Sequence, residues 1–243
     1  SSPHYYSEGL TGETESEFLQ RLVDDLELMI EREGPETVAA FIAEPIMGAG
    51  GVVVPPEHYY PRIQQDLDKY DIAFVDDEVI CGFGRTGNMW GSETLDLRPD
   101  MLTCAKALSS ASLPISAVLL SEYVYGPIAE QAEQLGIFGH GYTYSAHPVC
   151  AAVALRTQQL IAERDIIGHV RRIAPIFAAR IKRFDRFDFI GNVRAIGLIG
   201  AIEFCAEING KKKFDPCHKI AATAIAKIQD LGVILRALPG DII

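Results

Sequence analysis

The sequence predicts an α/β protein built on a mostly parallel sheet with both faces covered. Short, mainly apolar runs of strand length occupy residues 38–43, 72–75 and 101–104. Apolar positions at helical spacing occupy residues 15–33, 56–70 and 147–163. Strands that alternate with helices in this way are typical of parallel sheets whose crossover connections are helical.

Local signals support the individual elements of this first part of the chain. Thr14 or Glu15 can begin the first long helix, and the Gly34-Pro35 pair ends it. The Ser/Ala/Pro-containing loop 109–114 precedes another candidate strand at residues 115–120. Pro148 lies near the first turn of the last long helix, where proline is well tolerated.

The pattern changes after about residue 165. A basic amphipathic helix is predicted first, and the Asn209-Gly210 pair indicates a hairpin turn between later strands. The predicted elements are a helix at 166–184, a strand-like run at 193–207, a helix at 221–231 and a final strand at 233–235. We therefore predict a large domain over residues 1–164 and a smaller α+β domain over 165–243.

Charge and cysteine usage limit the function classes. The formal net charge of −11 argues against a nucleic-acid partner and against an anionic membrane surface. No apolar run reaches membrane-spanning length, and the first residues lack the features of a signal peptide. The five cysteines are irregularly spaced without a C-x-x-C pair, which favours reduced thiols in a cytoplasmic protein and no metal site.

Two oppositely charged residues follow strand-like runs and suggest chemistry. Asp77 ends the run at 72–75, and Lys106 follows the run at 101–104. Ligands of open α/β sheets bind at the carboxyl ends of the strands. A buried acid can keep a pyridine nitrogen protonated there, and a buried amine can form a Schiff base with an aldehyde. Each residue alone is also compatible with an ordinary strand-end charge.

Other motifs have both structural and functional interpretations. Residues 82–87 match G-x-G-x-x-G, but the chain continues as a loop rather than an apolar helix, which favours a structural turn over a nicotinamide site. The polar, aromatic loop 140–148 could bind a phosphate, or it could be a capping loop with Ser145 as the cap. Arg236 could bind a carboxylate or be a surface charge.

Read together, these segments closely resemble the class III (ω) aminotransferases, which use pyridoxal phosphate. The matching blocks lie in order at residues 41–46, 77–87, 99–106, 140–148 and 193–198. The resemblance extends to ω-amino acid:pyruvate aminotransferases. It implies the fold type I (aspartate-aminotransferase-like) large domain of pyridoxal-phosphate-dependent transferases and a small C-terminal domain. It also implies that this chain is the C-terminal part of such an enzyme, with the N-terminal part absent.

The resemblance also implies roles around the cofactor. Lys106 would be the catalytic Schiff-base lysine, and Asp77 would pair with the protonated pyridine nitrogen. Val79 would pack on one face of the ring, and Glu44 would lie near the Asp77 side of the site.

The remaining implied roles concern a partner subunit and the substrate. Tyr142 by its backbone and Thr143 by its hydroxyl would contact the cofactor phosphate of a neighbouring subunit, so a homodimer with shared active sites is expected. Arg236 falls where the ω-amino acid:pyruvate enzymes carry a mobile arginine for the acceptor carboxylate.

The implied activity is ping-pong transfer of an amino group from an amine or ω-amino acid to an oxo acid such as pyruvate. A class III mutase or decarboxylase using the same lysine is one alternative, and a catalytically silent fragment acting only in dimerisation is another. Ala107, Ala146 and Ala195 stand where the family usually has glycine. Alanine would be strained at any of these positions that required a positive φ.

Overall fold

The computed structural model describes residues 1–207 and 211–243. Its α-helices are α1 (Tyr5–Glu8), α2 (Glu15–Glu33), α3 (Tyr59–Lys69), α4 (Gly91–Leu95), α5 (Glu122–Leu135), α6 (Pro148–Glu163), α7 (Ile166–Lys182) and α8 (Ile220–Asp230). Its strands are β1 (Ala40–Ala43), β2 (Ala73–Asp77), β3 (Met101–Cys104), β4 (Ala117–Leu120), β5 (Ile190–Ile196) and β6 (Ile199–Phe204). Short 3-10 turns span Pro35–Thr37, Lys106–Ser109, Arg183–Arg186 and Pro216–His218.

The larger sheet has the order β1-β2-β3-β4. The first three strands are parallel, and β4 pairs with β3 in the antiparallel direction, so the predicted mostly parallel sheet is confirmed. The expectation that β1 is buried is wrong, since Ile42 is 64% exposed. In the described part of the chain β1 is an edge strand with one neighbour, which leaves its side chains uncovered.

Helix α2 begins and ends where the sequence predicts. The Thr14 Oγ1 atom accepts a hydrogen bond from the Glu17 backbone N–H at 3.2 Å, and the Glu17 carboxylate accepts one from the Thr14 N–H at 2.8 Å. This reciprocal capping satisfies two backbone donors that the first helical turn leaves unpaired. The apolar face of α2 includes Phe18 and Ile30, which are 0% and 2% exposed.

The predicted single run at 193–207 is wrong, because two antiparallel strands, β5 and β6, form a hairpin there. Gly197 has φ 56°, a conformation that glycine adopts without strain, and it turns the chain between the two strands. The predicted turn at Asn209-Gly210 lies outside the described residues. Ile190, Val193, Ile202 and Phe204 form the buried core of this hairpin.

Two other segments differ from the prediction. Residues 233–235 form no strand, and Ile234 is 88% exposed, since no described strand pairs with this segment and no core covers it. Helix α5 was not predicted because Gly126 and Pro127 lie within it, and both residues normally favour turns.

The chain divides into two compact units. One comprises Ser1–Leu22, Ile46–Glu57 and Gly168–Ile243, and the other comprises Val23–Pro45 and His58–Ile167. The domain boundary at 164/165 stays a prediction. Every helix in the described residues is too short or too polar to cross a lipid bilayer.

Candidate active site

The candidate site lies at the carboxyl ends of β2 and β3. Asp77 is the last residue of β2, and its register partner on β3 is Thr103. Lys106 follows two residues after β3 ends at Cys104. Because the two strands are parallel and adjacent, the acid and the amine follow the same edge of the sheet, where α/β sheets bind ligands.

Asp77 is held through one of its two carboxylate oxygens. The Oδ1 atom accepts hydrogen bonds from the Val79 backbone N–H at 3.0 Å and from the Thr103 hydroxyl at 3.4 Å. Among the described residues, no donor binds Oδ2. The half-buried carboxylate therefore has a fixed orientation and one free acceptor atom. Val79 is half-buried in the turn that follows β2.

Lys106 is exposed, so the expectation of a buried amine is wrong. The strand ends at Cys104, and the chain then turns outward through the 3-10 turn that Lys106 begins. The Lys106 backbone has φ 44°, which typically costs about 1–3 kcal/mol for a residue other than glycine. No described residue pairs with its Nζ, which leaves the amine free to react.

Hydrogen bonds within the turn hold this backbone in place. The Ala111 N–H donates to the Lys106 carbonyl at 2.9 Å, and the Leu108 N–H donates to the Ala105 carbonyl at 2.9 Å. The Ser109 hydroxyl, in a side chain that is 2% exposed, donates to the Leu113 carbonyl at 2.6 Å. These bonds fix the backbone from which the lysine side chain extends.

Two further acids, Asp76 and Glu78, were not singled out by the sequence analysis. Both are 0% exposed. The Glu78 Oε1 atom accepts hydrogen bonds from the Ser92 N–H at 2.8 Å and the Ser92 hydroxyl at 3.0 Å. Among the described residues, Glu78 Oε2 and both carboxyl oxygens of Asp76 have no hydrogen-bond partner. Strand alternation could have revealed them, because Asp76 lies on the opposite face of β2 from Asp77.

Asp76 does not ionise easily. Burial, followed by the nearby charge of Glu78, raises the pKa of Asp76 well above its ordinary value. Asp76 therefore tends to keep its proton where a surface aspartate would lose it.

Glu44 and the glycine-rich run lie near other strand ends. Glu44 directly follows β1, is half-buried, and its carbonyl accepts a hydrogen bond from the buried Tyr60 hydroxyl. The G-x-G-x-x-G run forms consecutive turns, with Gly84 at φ 96° and Gly87 at φ 98°. No long helix opens from this run, so the prediction that the chain continues here as a loop is confirmed.

The loop 136–147 is exposed and aromatic. Tyr142 is 79% exposed, and Thr143 is exposed beside it. The interpretation of Ser145 as the helix cap is wrong, since its Oγ accepts a hydrogen bond from the Tyr142 N–H at 3.0 Å and α6 has His147 as its N-cap residue. Of the three alanines that stand in glycine positions, Ala146 has a positive φ, 54°, whereas Ala107 and Ala195 do not.

The last predicted residue lies in the compact unit that contains β5 and β6. Arg236 is exposed, and it follows a segment without regular structure. A metal site is not formed by the described residues, in which no three histidine, cysteine or acidic side chains cluster.

The arrangement at β2 and β3 fits pyridoxal phosphate. The free Oδ2 of Asp77 can accept a hydrogen bond from a protonated ring nitrogen, and the free Nζ of Lys106 can react with an aldehyde. The exposed hydroxyl of Thr143 and the backbone amides of its loop are donors of the kind that bind phosphate.

Known proteins match nearly the whole chain. The profile of the family described as Aminotransferase class-III matches residues 4–243. Gamma aminobutyrate transaminase 1, mitochondrial, from Solanum lycopersicum is 48% identical over 241 residues, covering 99% of this chain and 47% of that protein. The chain thus spans about half the length of the curated relatives it matches.

Solved transaminase structures agree with the fold. A structure described as a transaminase with L-ala has a TM-score of 0.96 and 48% identity, covering 99% of this chain and 57% of that one. The omega transaminase from Pseudomonas jessenii in complex with PMP has a TM-score of 0.96 and 42% identity, covering 99% and 53%. The predicted fold class, that of fold type I pyridoxal-phosphate-dependent transferases, is confirmed. The chain belongs to the class III aminotransferases, a pyridoxal-phosphate-dependent family.

Proposed function

We propose that this chain carries the catalytic lysine and the ring-binding aspartate of a transaminase. The donor would be an amine or ω-amino acid, and the acceptor an oxo acid such as pyruvate. The observation that carries the proposal is the position of Asp77 and Lys106 at the carboxyl ends of adjacent parallel strands. The relative named as a gamma aminobutyrate transaminase supports an ω-amino acid donor. The matched structure solved with L-ala supports, as the acceptor, an oxo acid whose amination gives alanine.

Asp77 and Lys106 would hold the cofactor, with Val79 against its ring and Glu44 near the aspartate. When bound, pyridoxal phosphate would supply an aldehyde that carries the amino group and a ring that withdraws electrons from the reacting carbon. The Asp77 carboxylate would keep the ring nitrogen protonated, because a nearby negative charge favours the charged form of a base. The hydrogen bonds to Oδ1 would keep Oδ2 directed at that nitrogen.

Lys106 Nζ would act twice. It would first hold the cofactor covalently, and the incoming amine would displace it. The released Nζ would then take the proton from the amine-bearing carbon as a general base and donate it to the bound cofactor as a general acid. Both substrates would use the same site in turn, so the first product leaves before the acceptor binds.

The test of this function is the transfer of nitrogen from an ω-amino acid or an amine to pyruvate. Lys106→Ala should lower the rate of alanine formation by at least about 10⁴-fold, because one atom serves both steps. Lys227→Ala, an exposed lysine on α8, is the matched control and should keep the wild-type rate. Unchanged alanine formation in the Lys106 variant would refute the proposal.

We also propose a homodimer with shared sites, in which Tyr142 and Thr143 contact the phosphate held by the partner subunit. The support is the exposure of aromatic side chains in this loop, including Phe138 at 58% and Tyr144 at 81%. An isolated subunit would leave these aromatic side chains exposed to water. Exposed apolar patches are typical of interaction surfaces.

Mixed dimers can test the sharing. Inactive Lys106→Ala subunits are mixed in equal amounts with Thr143→Val subunits. If sites are shared, half the dimers are mixed and each has one intact site of two, so about a quarter of all sites become intact. If each subunit binds the phosphate with its own Thr143, mixing gives no gain over the separate proteins.

Arg236 would bind the acceptor carboxylate. Arg236→Gln should raise the KM for pyruvate about tenfold or more, since a lost charged hydrogen bond costs about 1.5–3 kcal/mol. The half-reaction with an amine that lacks a carboxylate should be unchanged. An equal loss with both substrates would point instead to a structural role. A cytoplasmic location stays a prediction, and several relatives have names that state mitochondrial or chloroplastic proteins.

A further inference from the structure

A basic and aromatic cavity lies where α7 ends. Its volume is about 160 Å³, and it is lined by Arg180, Arg183, Phe184, Arg186 and Phe187. All five residues belong to the compact unit that contains β5 and β6. None of them has a role in the proposed transaminase chemistry.

The sequence places these side chains in two rows. Arg180, Arg183 and Arg186 recur every three residues as α7 passes into the 3-10 turn Arg183–Arg186. Residues three apart are neighbours on an α-helix and eclipse each other on a 3-10 helix, so the guanidinium groups align. Phe184 and Phe187 have the same spacing, and their ring centroids are 6.3 Å apart.

In the part of the chain that the structure describes, the three guanidinium groups have no acidic partner. The acid between them, Asp185, pairs with Lys182. Among the described residues, no carboxylate forms an ion pair with Arg180, Arg183 or Arg186. Like charges at this spacing repel each other. In a chain of net charge −11 that has many carboxylates, an unneutralised row of cations is a local exception.

The aromatic wall combines a fixed ring with an accessible one. Phe187 packs against the core of the β5–β6 hairpin and stacks on Phe189, with ring centroids 5.4 Å apart. The Arg186 guanidinium lies 4.7 Å from the Phe187 ring centroid, a cation–π contact. Phe184 is 43% exposed and can contact a ligand.

We propose that this cavity binds a small phosphate monoester that carries a flat ring. The planar fork of arginine matches phosphate oxygens, and several arginines suit a dianion. The phenylalanine rings offer a stacking surface beside the charged row. At about 160 Å³ the cavity is smaller than the roughly 300–1,000 Å³ pockets of drug-sized ligands, so it suits a small ligand head.

The test uses phenyl phosphate as the probe and isothermal titration calorimetry on the whole chain, after pyridoxal phosphate has been reduced onto Lys106 with borohydride and the excess has been dialysed away. Phenyl phosphate should bind at one site per chain, and more tightly than inorganic phosphate or phenol. Arg183→Gln and Arg186→Gln should each weaken it about tenfold, through loss of a charged hydrogen bond. Arg32→Gln, an exposed arginine on α2, is the matched control and should leave the affinity unchanged.

A second variant separates the ring from the phosphate. Phe184→Leu keeps an apolar side chain and should weaken phenyl phosphate about fivefold or more, by loss of stacking, without changing the affinity for inorganic phosphate. Thermal unfolding checks that each variant is folded. The proposal is overturned if folded Arg183→Gln binds phenyl phosphate as the Arg32 control does, or if inorganic phosphate binds as tightly as phenyl phosphate. Tighter binding of a single-stranded oligonucleotide, lost in the same variants, would also overturn it.

Discussion

Two buried clusters of ionisable side chains differ in how many of their polar atoms are hydrogen-bonded. At the end of β2, Asp76 and Glu78 are fully buried, and three of their four carboxyl oxygens have no hydrogen-bond partner among the described residues. In the other compact unit, Arg194 and Glu203 are 9% and 2% exposed, and they pair at 2.7 Å. The first cluster contains two acids, whereas the second pairs an arginine with a glutamate.

All three guanidinium nitrogens of Arg194 form hydrogen bonds. Its Nε donates to the Val52 carbonyl at 3.1 Å, and its Nη2 donates to the Gly51 carbonyl at 2.6 Å. The Asn192 side-chain oxygen and the His4 ring complete its environment at 2.7 and 3.0 Å. Val52 has φ 52°, which is strained for a β-branched residue, and the Arg194 bonds hold that backbone in place.

The comparison separates a structural use of buried charge from a chemical one. A satisfied ion pair fixes a loop and leaves no atom free to react. An acid-rich strand end with open acceptors is costly to bury, and such costs are typical of functional sites. Substitutions at these positions test this distinction.

Asp77→Asn should lower the transamination rate about 10²–10⁴-fold with little loss of stability. An amide has no charge to keep a ring nitrogen protonated, yet its oxygen can still accept the Val79 N–H bond. Asp68→Asn, an exposed acid on α3, is the control. The rate of amino transfer to pyruvate and the midpoint of urea unfolding measure both quantities. Loss of stability without loss of rate would mean that Asp77 supports the fold rather than the reaction.

Arg194→Met should destabilise the protein by about 3–5 kcal/mol, because Glu203 would stay buried without its partner. Arg32→Met on the exposed surface should change the free energy of unfolding by less than about 0.5 kcal/mol. Urea unfolding followed by circular dichroism gives both values. A cost below about 1 kcal/mol for Arg194→Met would mean that the cluster does not support the fold.

Asp76→Asn should stabilise the protein at pH 7 by about 1–3 kcal/mol. The folded-state pKa of Asp76 is raised from 3.8, so the wild-type protein loses stability as pH rises above 3.8 toward that raised pKa. Asparagine does not titrate and avoids this loss. The gain should therefore shrink as the pH falls toward 3.8. A gain that did not depend on pH would exclude titration of Asp76 as its cause.

His4 should produce a smaller pH dependence in the acid range. Burial, then the Arg194 charge, lowers the pKa of His4 from 6.5 to about 4. Stability is complete above pH 6.5 and falls as the pH drops toward 4, because the unfolded state binds the proton more readily. We expect a loss of about 1–2 kcal/mol after solvent screening, absent in His4→Gln. A slope that persists in that variant would assign the loss to other groups.

Ala146→Gly should have the smallest effect, a gain of about 0.5–1 kcal/mol. Relief of the positive φ at Ala146 exceeds the entropy that glycine adds to the unfolded chain. Ala195→Gly, where φ is not positive, is the matched control and should not stabilise. The melting temperatures of the two variants measure this difference. Equal shifts would contradict the expected relief of strain at Ala146.

The sequence predicts a helix or strand correctly where the apolar spacing agrees with the residues that begin and end the element. The bounds of α2 and β3 follow from apolar spacing and from clear end signals. Helix α5 was missed because local turn residues lie within it, and the turn at Gly197 was missed because apolar residues flank it on both sides. Local preference can be overridden by packing that only the folded chain creates.

The candidate site was predictable in part. Asp77 and Lys106 could be found because strand ends are visible in the apolar pattern. The exposure of Lys106 could not be predicted, because it depends on the backbone turn after β3. The raised pKa of Asp76 depends on its own burial and then on the nearby charge of Glu78, and a list of acidic residues reveals neither.

The most direct test of the central claim is the location of the cofactor on the chain. The protein is incubated with pyridoxal phosphate, reduced with borohydride, digested, and mapped by mass spectrometry. The account predicts one pyridoxyl group per chain, on Lys106, and its loss in Lys106→Ala. A pyridoxyl group on another lysine, or label spread over the surface lysines, would contradict the account.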